Sequence, residues 1–458
     1  MKHLVIGSGP CGALAAFLLL KAGMSVDIVD TNDNKNIDDS SLKSKLKLMQ
    51  GESHPYDINQ FLAVEVEGEV ASFYRSKIRG GFSRIWGATW NSPPVSKDNS
   101  WVQNYNKVNQ IVSENLKEHS GALGQEVLAN SECNCLRFLY DTEPFNDGSL
   151  KVSQLAAQIS DCGCIATGES ICVHGSVWNS TYLIKECEKF QNFNFYSGID
   201  VQSLMLEQNM IAINQPSGSQ EYDSVTLAAG PLGNTEILLN SISGTDKILL
   251  HETRMAFLPY LRFNLNTGHK GAFAFSQFNL DIRQVNNEVL ANVQLYAHSE
   301  KYKERIEGKF PKALVPIVSA LLRFLTPHMG IALLYLNSDY SESLTFRKSV
   351  TARKLIVELN RPKFEHKKFQ RRLWNSFRSI GLYPLLPALS WAKPGESYHL
   401  GASPNLLDEY GFLKSDKRVS VSGSFALPII LPGPITHSAM AQTSRLVERI
   451  IHQNLERI

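Results

Sequence analysis

The chain opens on a short, mostly apolar run, His3 to Ile6, that breaks at a cluster of turn formers, Gly7, Gly9, Pro10 and Gly12. A run this short between punctuating glycines predicts a buried parallel strand. Cys11 to Ala22 is rich in alanine and leucine and stops at Gly23, which predicts a helix with a glycine C-terminal stop. Ser25 to Val29 predicts a second strand, closed by Asp30. Residues 32–55 are polar and rich in Asp, Ser and Lys, the pattern of an insertion or long loop, and residues 79–94 have loop character.

Helical stretches are expected near 103–117, 149–160 and 181–190. Phe193 to Tyr196 and Val201 to Leu206 look like strands, and Val225 to Ala229 is an apolar strand closed by Gly230, with a helix at 234–241. Alternating strands then follow at 272–283, 288–297, 331–337 and 345–358, with basic helices between them. A final amphipathic helix is expected from about Ser438 to Leu455.

At 458 residues, 43% of them hydrophobic, the chain has ample material for more than one core. A net charge of +2 gives no global reason to expect a nucleic-acid partner. The seven cysteines lack paired CxxC spacing, so no metal site is expected, and mostly free thiols in a reducing compartment are. The apolar N-terminus superficially mimics a signal peptide, but its glycines fit strand, turn and helix better, and a cytoplasmic protein is expected. Residues 311–336 are unusually apolar, and the stretch from Arg361 to Arg378 is strongly basic. A core helix beside a solvated basic face explains both features; a peripheral contact with an anionic membrane is the competing reading.

Gly7-Ser8-Gly9-Pro10-Cys11-Gly12 is a GxGxxG turn lying between a strand and a helix, with Asp30 ending the next strand. The first glycine permits the tight turn, the second lets backbone approach a pyrophosphate, and the third lets helix pack closely on strand. The helix start offers N–H groups and a positive dipole end to phosphates, and Asp30 is placed to accept from ribose hydroxyls. This context predicts dinucleotide binding.

Four further segments resemble the glucose–methanol–choline oxidoreductase family, in that family's order. Arg79-Gly80-Gly81-Phe82-Ser83-Arg84-Ile85-Trp86-Gly87-Ala88 resembles the loop around the FAD pyrophosphate and the flavin edge, and Trp86 matches the sugar- and polyol-dehydrogenase-like branch. The loop holds no histidine, so the resemblance implies non-covalent FAD. Val201 follows a glycine-containing turn and resembles the strand whose backbone contacts adenine. Thr226 to Pro231, with Ala229 and Gly230, resembles the strand–glycine–helix that closes the FAD domain. At the C-terminus, Tyr398 to Ser403 resembles the segment of the main catalytic histidine, Val421 to Phe425 the turn under the flavin, with Gly423 and Ser424, and Thr436 to Met440 the loop with the second histidine.

The resemblance implies an α/β protein, α+β overall. A FAD-binding Rossmann-like βαβ domain (1–100, 161–254 and 396–458) would be interleaved with an irregular cap segment (101–160) and an antiparallel substrate domain (255–395). It implies oxidation of an alcohol, sugar or polyol by a general base, His399, with His437 orienting the hydroxyl and contacting the flavin. The electron acceptor is not readable from the sequence. Two other classes share the βαβ start: a flavin hydroxylase or isoprenoid-modifying flavoprotein, and a non-catalytic protein of the GDP-dissociation-inhibitor type. The cysteine-bearing loop at Cys162, Cys164 and Cys172 is read as structural.

Overall fold

The computed structural model describes residues 1–31, 59–61, 64–66, 73–84, 86–90, 95–96, 98–120, 136, 139, 142–146, 149–157, 177–207, 210–215, 218–263, 275–284, 287–297, 311, 315–325, 328–348, 355–395, 399–401 and 405–456. The polar segment 32–55 and Cys133, Cys135, Cys162, Cys164 and Cys172 lie outside these residues. The fold is mixed α/β.

Its first unit is an all-parallel sheet of five strands, ordered Val419–Val421, Ser224–Leu227, Lys2–Ile6, Ser25–Asp30 and Phe193–Ser197. The central strands are covered on both faces, so they read as continuous apolar runs rather than alternations: Leu4, Val5, Val26, Ile28 and Val29 are fully buried. The helix Pro10–Lys21 packs on one face against Thr436–Leu455 and Thr181–Cys187. A polar ladder crosses the buried sheet. His3 Nδ1 and Nε2 lie 2.7 and 2.8 Å from Ser224 Oγ and Thr226 Oγ1, and Thr226 Oγ1 lies 2.8 Å from Ser420 Oγ. Every member is hydrogen-bonded, which is what makes its burial tolerable.

The second unit is a seven-stranded antiparallel sheet. Its order is Leu382–Pro384, Met255–Arg262, Met329–Leu336, Val289–Ala297, Phe278–Arg283 and Leu150–Val152, with Ser390–Trp391 also pairing to Met255–Arg262. The helix His366–Ser379 covers one face through Phe369, Leu373 and Phe377, spaced four residues apart, against Tyr260, Leu258 and their neighbours. The basic residues Lys367, Lys368 and Arg371 lie on the helix's exposed side. A third sheet of five strands joins Leu400–Gly401, Lys247–Glu252, Ser343–Lys348, Leu355–Asn360 and Val64–Val66. Among the described residues no helix is long and apolar enough to cross a membrane.

Several expected elements differ. Residues 149–157 form no helix: Leu150–Val152 pairs with Phe278–Leu280, and single bridges follow at Leu155 and Ala157. Sheet pairing overrides a weak local helical preference there. In 201–206 only Met205–Leu206 is strand, while Val201 turns toward a cavity. The expected strand 345–358 is two strands, and the apolar stretch 311–336 divides into the helix Val315–Leu325 and the strand Met329–Leu336. The helix expected at 234–241 begins at Gly230, and that expected at 103–117 spans Asn99–Ser120.

Candidate active site

The glycine turn is built as its spacing requires. Gly7 has φ +105°, and a Cβ there would lie 2.4 Å from the Ala228 carbonyl oxygen. A Cβ on Gly12 would lie 2.0 Å from the Gly7 carbonyl oxygen, so its missing side chain sets the close approach of helix to turn. Gly9 is different, because a Cβ there meets nothing within 4 Å. Pro10 opens the helix, where its absent N–H costs nothing. The Ser8 amide donates to Asp30 Oδ2 at 2.7 Å, which ties the acid at the end of the second strand to the turn.

Residues 80–83 are folded against this turn. Gly80 N donates to Ser8 Oγ at 3.0 Å, Ser83 Oγ donates to the Gly80 carbonyl at 2.6 Å, and Ser180 Oγ reaches the Ser8 carbonyl at 3.1 Å. A Cβ on Gly81 would sit 3.2 Å from Gly9 Cα, so two glycine backbones face each other.

A cavity of about 550 Å³ runs from this turn to the antiparallel sheet. Of the sequence-predicted residues, Gly7, Gly9, Pro10, Cys11 and Asp30 line its first end, with Val201, Ala229 and Gly230 beside them. Gly81, Ser83, Trp86, Gly87, His399, Gly423 and Ser424 line the same cavity, with Gly423 close to Cys11, since a Cβ on it would lie 3.3 Å from Cys11 Sγ. The fold therefore gathers segments more than 400 residues apart around one space.

Four predicted residues do not line it. Gly12 and Gly80 act through packing, as their close contacts indicate. Arg79 is turned away: its guanidinium pairs with Glu188 and lies 4.4 Å from the centre of the Phe195 ring. An arginine already paired and stacked there is not offered to a pyrophosphate in this arrangement.

His437 is the fourth. Its ring stacks on Trp90 at 4.5 Å, meets the edge of Tyr105 at 4.6 Å, and its Nε2 lies 3.3 Å from the Tyr105 carbonyl. Trp90 itself belongs to a triangle with Trp86 and Trp178, at centroid distances of 6.0 to 6.3 Å. At the start of the final helix the cavity is met instead by Ile435, Thr436 and Ala439. Burial lowers the His437 pKa to about 4, against the opposing pull of its bonds to the Tyr105 and Trp90 backbone.

His399 does reach the cavity. Its carbonyl accepts from Thr253 N at 3.2 Å, and the following residues are held to the turn at 423–426: Ser424 Oγ donates to the Leu400 carbonyl at 2.7 Å. A Cβ on Gly401 would lie 2.0 Å from the Ser424 carbonyl oxygen, so only glycine lets the two segments close. The imidazole stacks on Tyr335 with centroids 4.5 Å apart and planes 7° from parallel. Desolvation lowers its pKa to about 4, so the ring is neutral at physiological pH.

The far wall comes from the antiparallel sheet, and sequence reasoning named none of its residues. Register places them in rows. Met255 opposes Tyr335, which opposes Asn292; Phe257 opposes Leu333, which opposes Gln294; Pro259 opposes Ile331, which opposes Tyr296. Alternation in these strands was the available signal, but alternation alone does not say which face meets the helix and which the cavity. The face with Leu258, Tyr260, Val293 and Leu334 packs in the core with the helix His366–Ser379. The Met255, Phe257, Gln294, Tyr296, Ile331, Leu333 and Tyr335 face looks into the cavity.

Arg75, also unforeseen, lines the first end and is paired with Asp200 at 2.9 Å and Glu236 at 3.1 Å. Cys11 is half-buried at the cavity beside Thr443, and desolvation pushes its thiol up to about 11, which disfavours the thiolate. Among the described residues, no group of three or more His, Cys, Asp or Glu is placed to hold a metal ion.

No protein-family model matches this chain, and no curated protein matches it in sequence. Its structure is similar to that of pyridoxine 4-oxidase from Mesorbium loti, with a TM-score of 0.63 over 98% of this chain and 99% of that chain, at 14% identity. At that identity the likeness is one of fold.

Proposed function

We propose that this protein is a FAD-dependent oxidoreductase acting on a CH–OH group, with His399 as the base that takes the hydroxyl proton. One observation carries the reading: a single cavity joins the GxGxxG turn to a neutral, cavity-facing histidine. The fold likeness to an oxidase of similar length supports it.

The residues present fit a dinucleotide. Gly9 and Gly230 offer backbone with no neighbour where a side chain would stand, and the helix start at Pro10 supplies a positive dipole end to a pyrophosphate. Asp30 and Val201 would hold the adenosine end, and Gly81, Ser83 and Trp86 the middle. Bound FAD supplies the acceptor for the hydride that leaves the substrate carbon.

The protein's own part is proton transfer, placement and exclusion of water. Loss of the hydroxyl proton to His399, with departure of the carbinol hydrogen and its electron pair, leaves the carbonyl. A desolvated imidazole is a ready but weak base, because its cation is costly in a dry site. The Tyr335 ring beneath it offsets part of that cost, since an imidazolium is attracted to an aromatic face. The dipole of the helix beginning at Thr436 points its positive end to the cavity and favours negative charge there.

The test is spectroscopic. The purified chain, supplied with FAD, is expected to carry bound flavin absorbance that bleaches anaerobically with an alcohol. A chain that binds no flavin, or a bound flavin that no alcohol reduces, would sink the reading.

A further inference from the structure

We infer that the substrate is an uncharged alcohol with an apolar body, such as an aryl or long alkyl alcohol, rather than a free sugar or polyol; this rests on the proposed CH–OH chemistry. The observation is the distribution of chemistry along the cavity. Among its described lining residues, the charged side chains are Asp30 and Arg75, and both stand at the end with the glycine turn. Arg75 is moreover committed to Asp200 and Glu236, and Asp30 to the Ser8 amide. Among the described residues, the wall opposite carries no charged side chain. A phosphorylated, carboxylated or ammonium-bearing substrate would lose hydration there without gaining a counter-charge.

The wall is also sorted by strand. The two neighbouring strands Met255–Arg262 and Met329–Leu336 present Met255, Phe257, Ile331 and Leu333, adjacent by register. The next strand, Val289–Ala297, presents Gln294 and Tyr296, and the Tyr296 hydroxyl donates to Gln294 Oε1 at 2.6 Å. With its oxygen accepting, the Gln294 amide keeps a donor. A Cβ on Gly87 would lie 3.9 Å from the Tyr296 hydroxyl, which puts this polar edge beside the 79–87 segment. The site therefore offers one polar edge and one broad apolar face. A polyol, with a hydroxyl on every carbon, would lay several of them against Met255, Phe257, Ile331 and Leu333. Each hydroxyl left unpaired costs about tenfold or more in affinity. An apolar body gains on the same surface.

The experiment uses the FAD-loaded full chain without oxygen and two pairs of probes, 1-octanol and cinnamyl alcohol against glucose and sorbitol. Perturbation of the flavin spectrum reports binding, and bleaching reports oxidation. Octanol and cinnamyl alcohol are expected to bind at least about 30-fold more tightly than the polyols and to bleach the flavin. Leu333→Asn is expected to retain FAD and weaken octanol binding about tenfold or more, and Phe257→Ala serves if that variant does not fold. Tighter binding of glucose or sorbitol, or binding of neither class, overturns the substrate class and leaves flavin binding standing. Apolar alcohols that bind without bleaching uphold the apolar site and overturn the oxidation. Octanol affinity unchanged in the FAD-loaded wall variants overturns the inference, and a chain that takes up no FAD overturns both readings.

Discussion

The imidazole of His399 lies flat on the phenol ring of Tyr335, 4.5 Å between centroids, so a residue of the last sixty meets the middle of the antiparallel sheet at the cavity. As a base, His399 should dominate the rate of substrate oxidation. His399→Ala is expected to slow anaerobic flavin reduction by about 10²- to 10⁴-fold with FAD retained. Tyr335→Phe keeps the aromatic face and should stay within about twofold, whereas Tyr335→Leu should cost about tenfold by removing it. Equal rates in Tyr335→Leu and the unaltered protein would leave the stack without a role in proton transfer.

The pH dependence of that rate follows from burial. Desolvation holds the His399 pKa near 4, so the ring is already a free base well below neutrality. Flavin reduction should therefore be level from about pH 8 to pH 5 and decline only as pH approaches 4. An acid limb centred near 6.5, the ordinary histidine value, would mean that the ring is solvated when flavin is reduced.

Stability should fall over a related window. His3 is lowered to about 3, and His399 and His437 to about 4, each chiefly by burial. Between about pH 6.5 and those values the unfolded chain binds protons that the folded chain refuses. The folded state is accordingly penalised progressively as pH drops from 6.5, and the penalty levels off below about 3. Each tenfold loss of proton affinity on folding corresponds to about 1.4 kcal/mol, so three such histidines together amount to several kcal/mol. Denaturation midpoints at pH 7 and pH 4.5 measure this directly, and equal midpoints would refute it.

The parts of this molecule legible in its sequence are those where local chemistry and fold coincide. Gly7 and Gly12 announce the turn because each answers a steric demand of the backbone itself, while Gly9 and Asp30 complete the spacing of a turn whose backbone is left open. The cavity's far wall is hidden because Met255, Leu333 and Gln294 acquire meaning only from strand register and from which face the His366–Ser379 helix covers. The strand Leu150–Val152 is hidden for a like reason, since its partner lies more than 120 residues away. Arg79 was readable as a charge near the site, but not as the partner of Glu188.

The glycines of the turn can be separated by function. Gly12→Ala would drive a Cβ to 2.0 Å from the Gly7 carbonyl, backbone that cannot give way cheaply. It should destabilise the chain by about 2 kcal/mol or more. Gly9→Ala meets open space, so stability should change by less than about 0.5 kcal/mol while FAD affinity drops at least about tenfold. Thermal melts without FAD and flavin titrations distinguish the two. A Gly9→Ala protein with full FAD affinity would remove this turn from the cofactor site.

The last prediction concerns His437, which the resemblance made a partner of His399 and the structure packs between Trp90 and Tyr105. A residue that orients the reacting hydroxyl cannot be replaced by a hydrocarbon ring without a large loss, because the hydrogen bond is its function. A residue whose job is to fill and stack can be. His437→Phe preserves the 4.5 Å stack on Trp90 and forfeits the bonds to the Tyr105 and Trp90 backbone. It should keep flavin reduction within about threefold, against the loss of about 10² or more expected for His399→Ala. Its stability should fall by about 1–3 kcal/mol at neutral pH. It should also lose less stability on acidification, since one of the histidines that resist protonation is gone. The comparison needs both readouts. A large fall in rate with an unchanged melting profile would return His437 to the catalytic site, and would require its ring to leave the Trp90 stack when substrate binds.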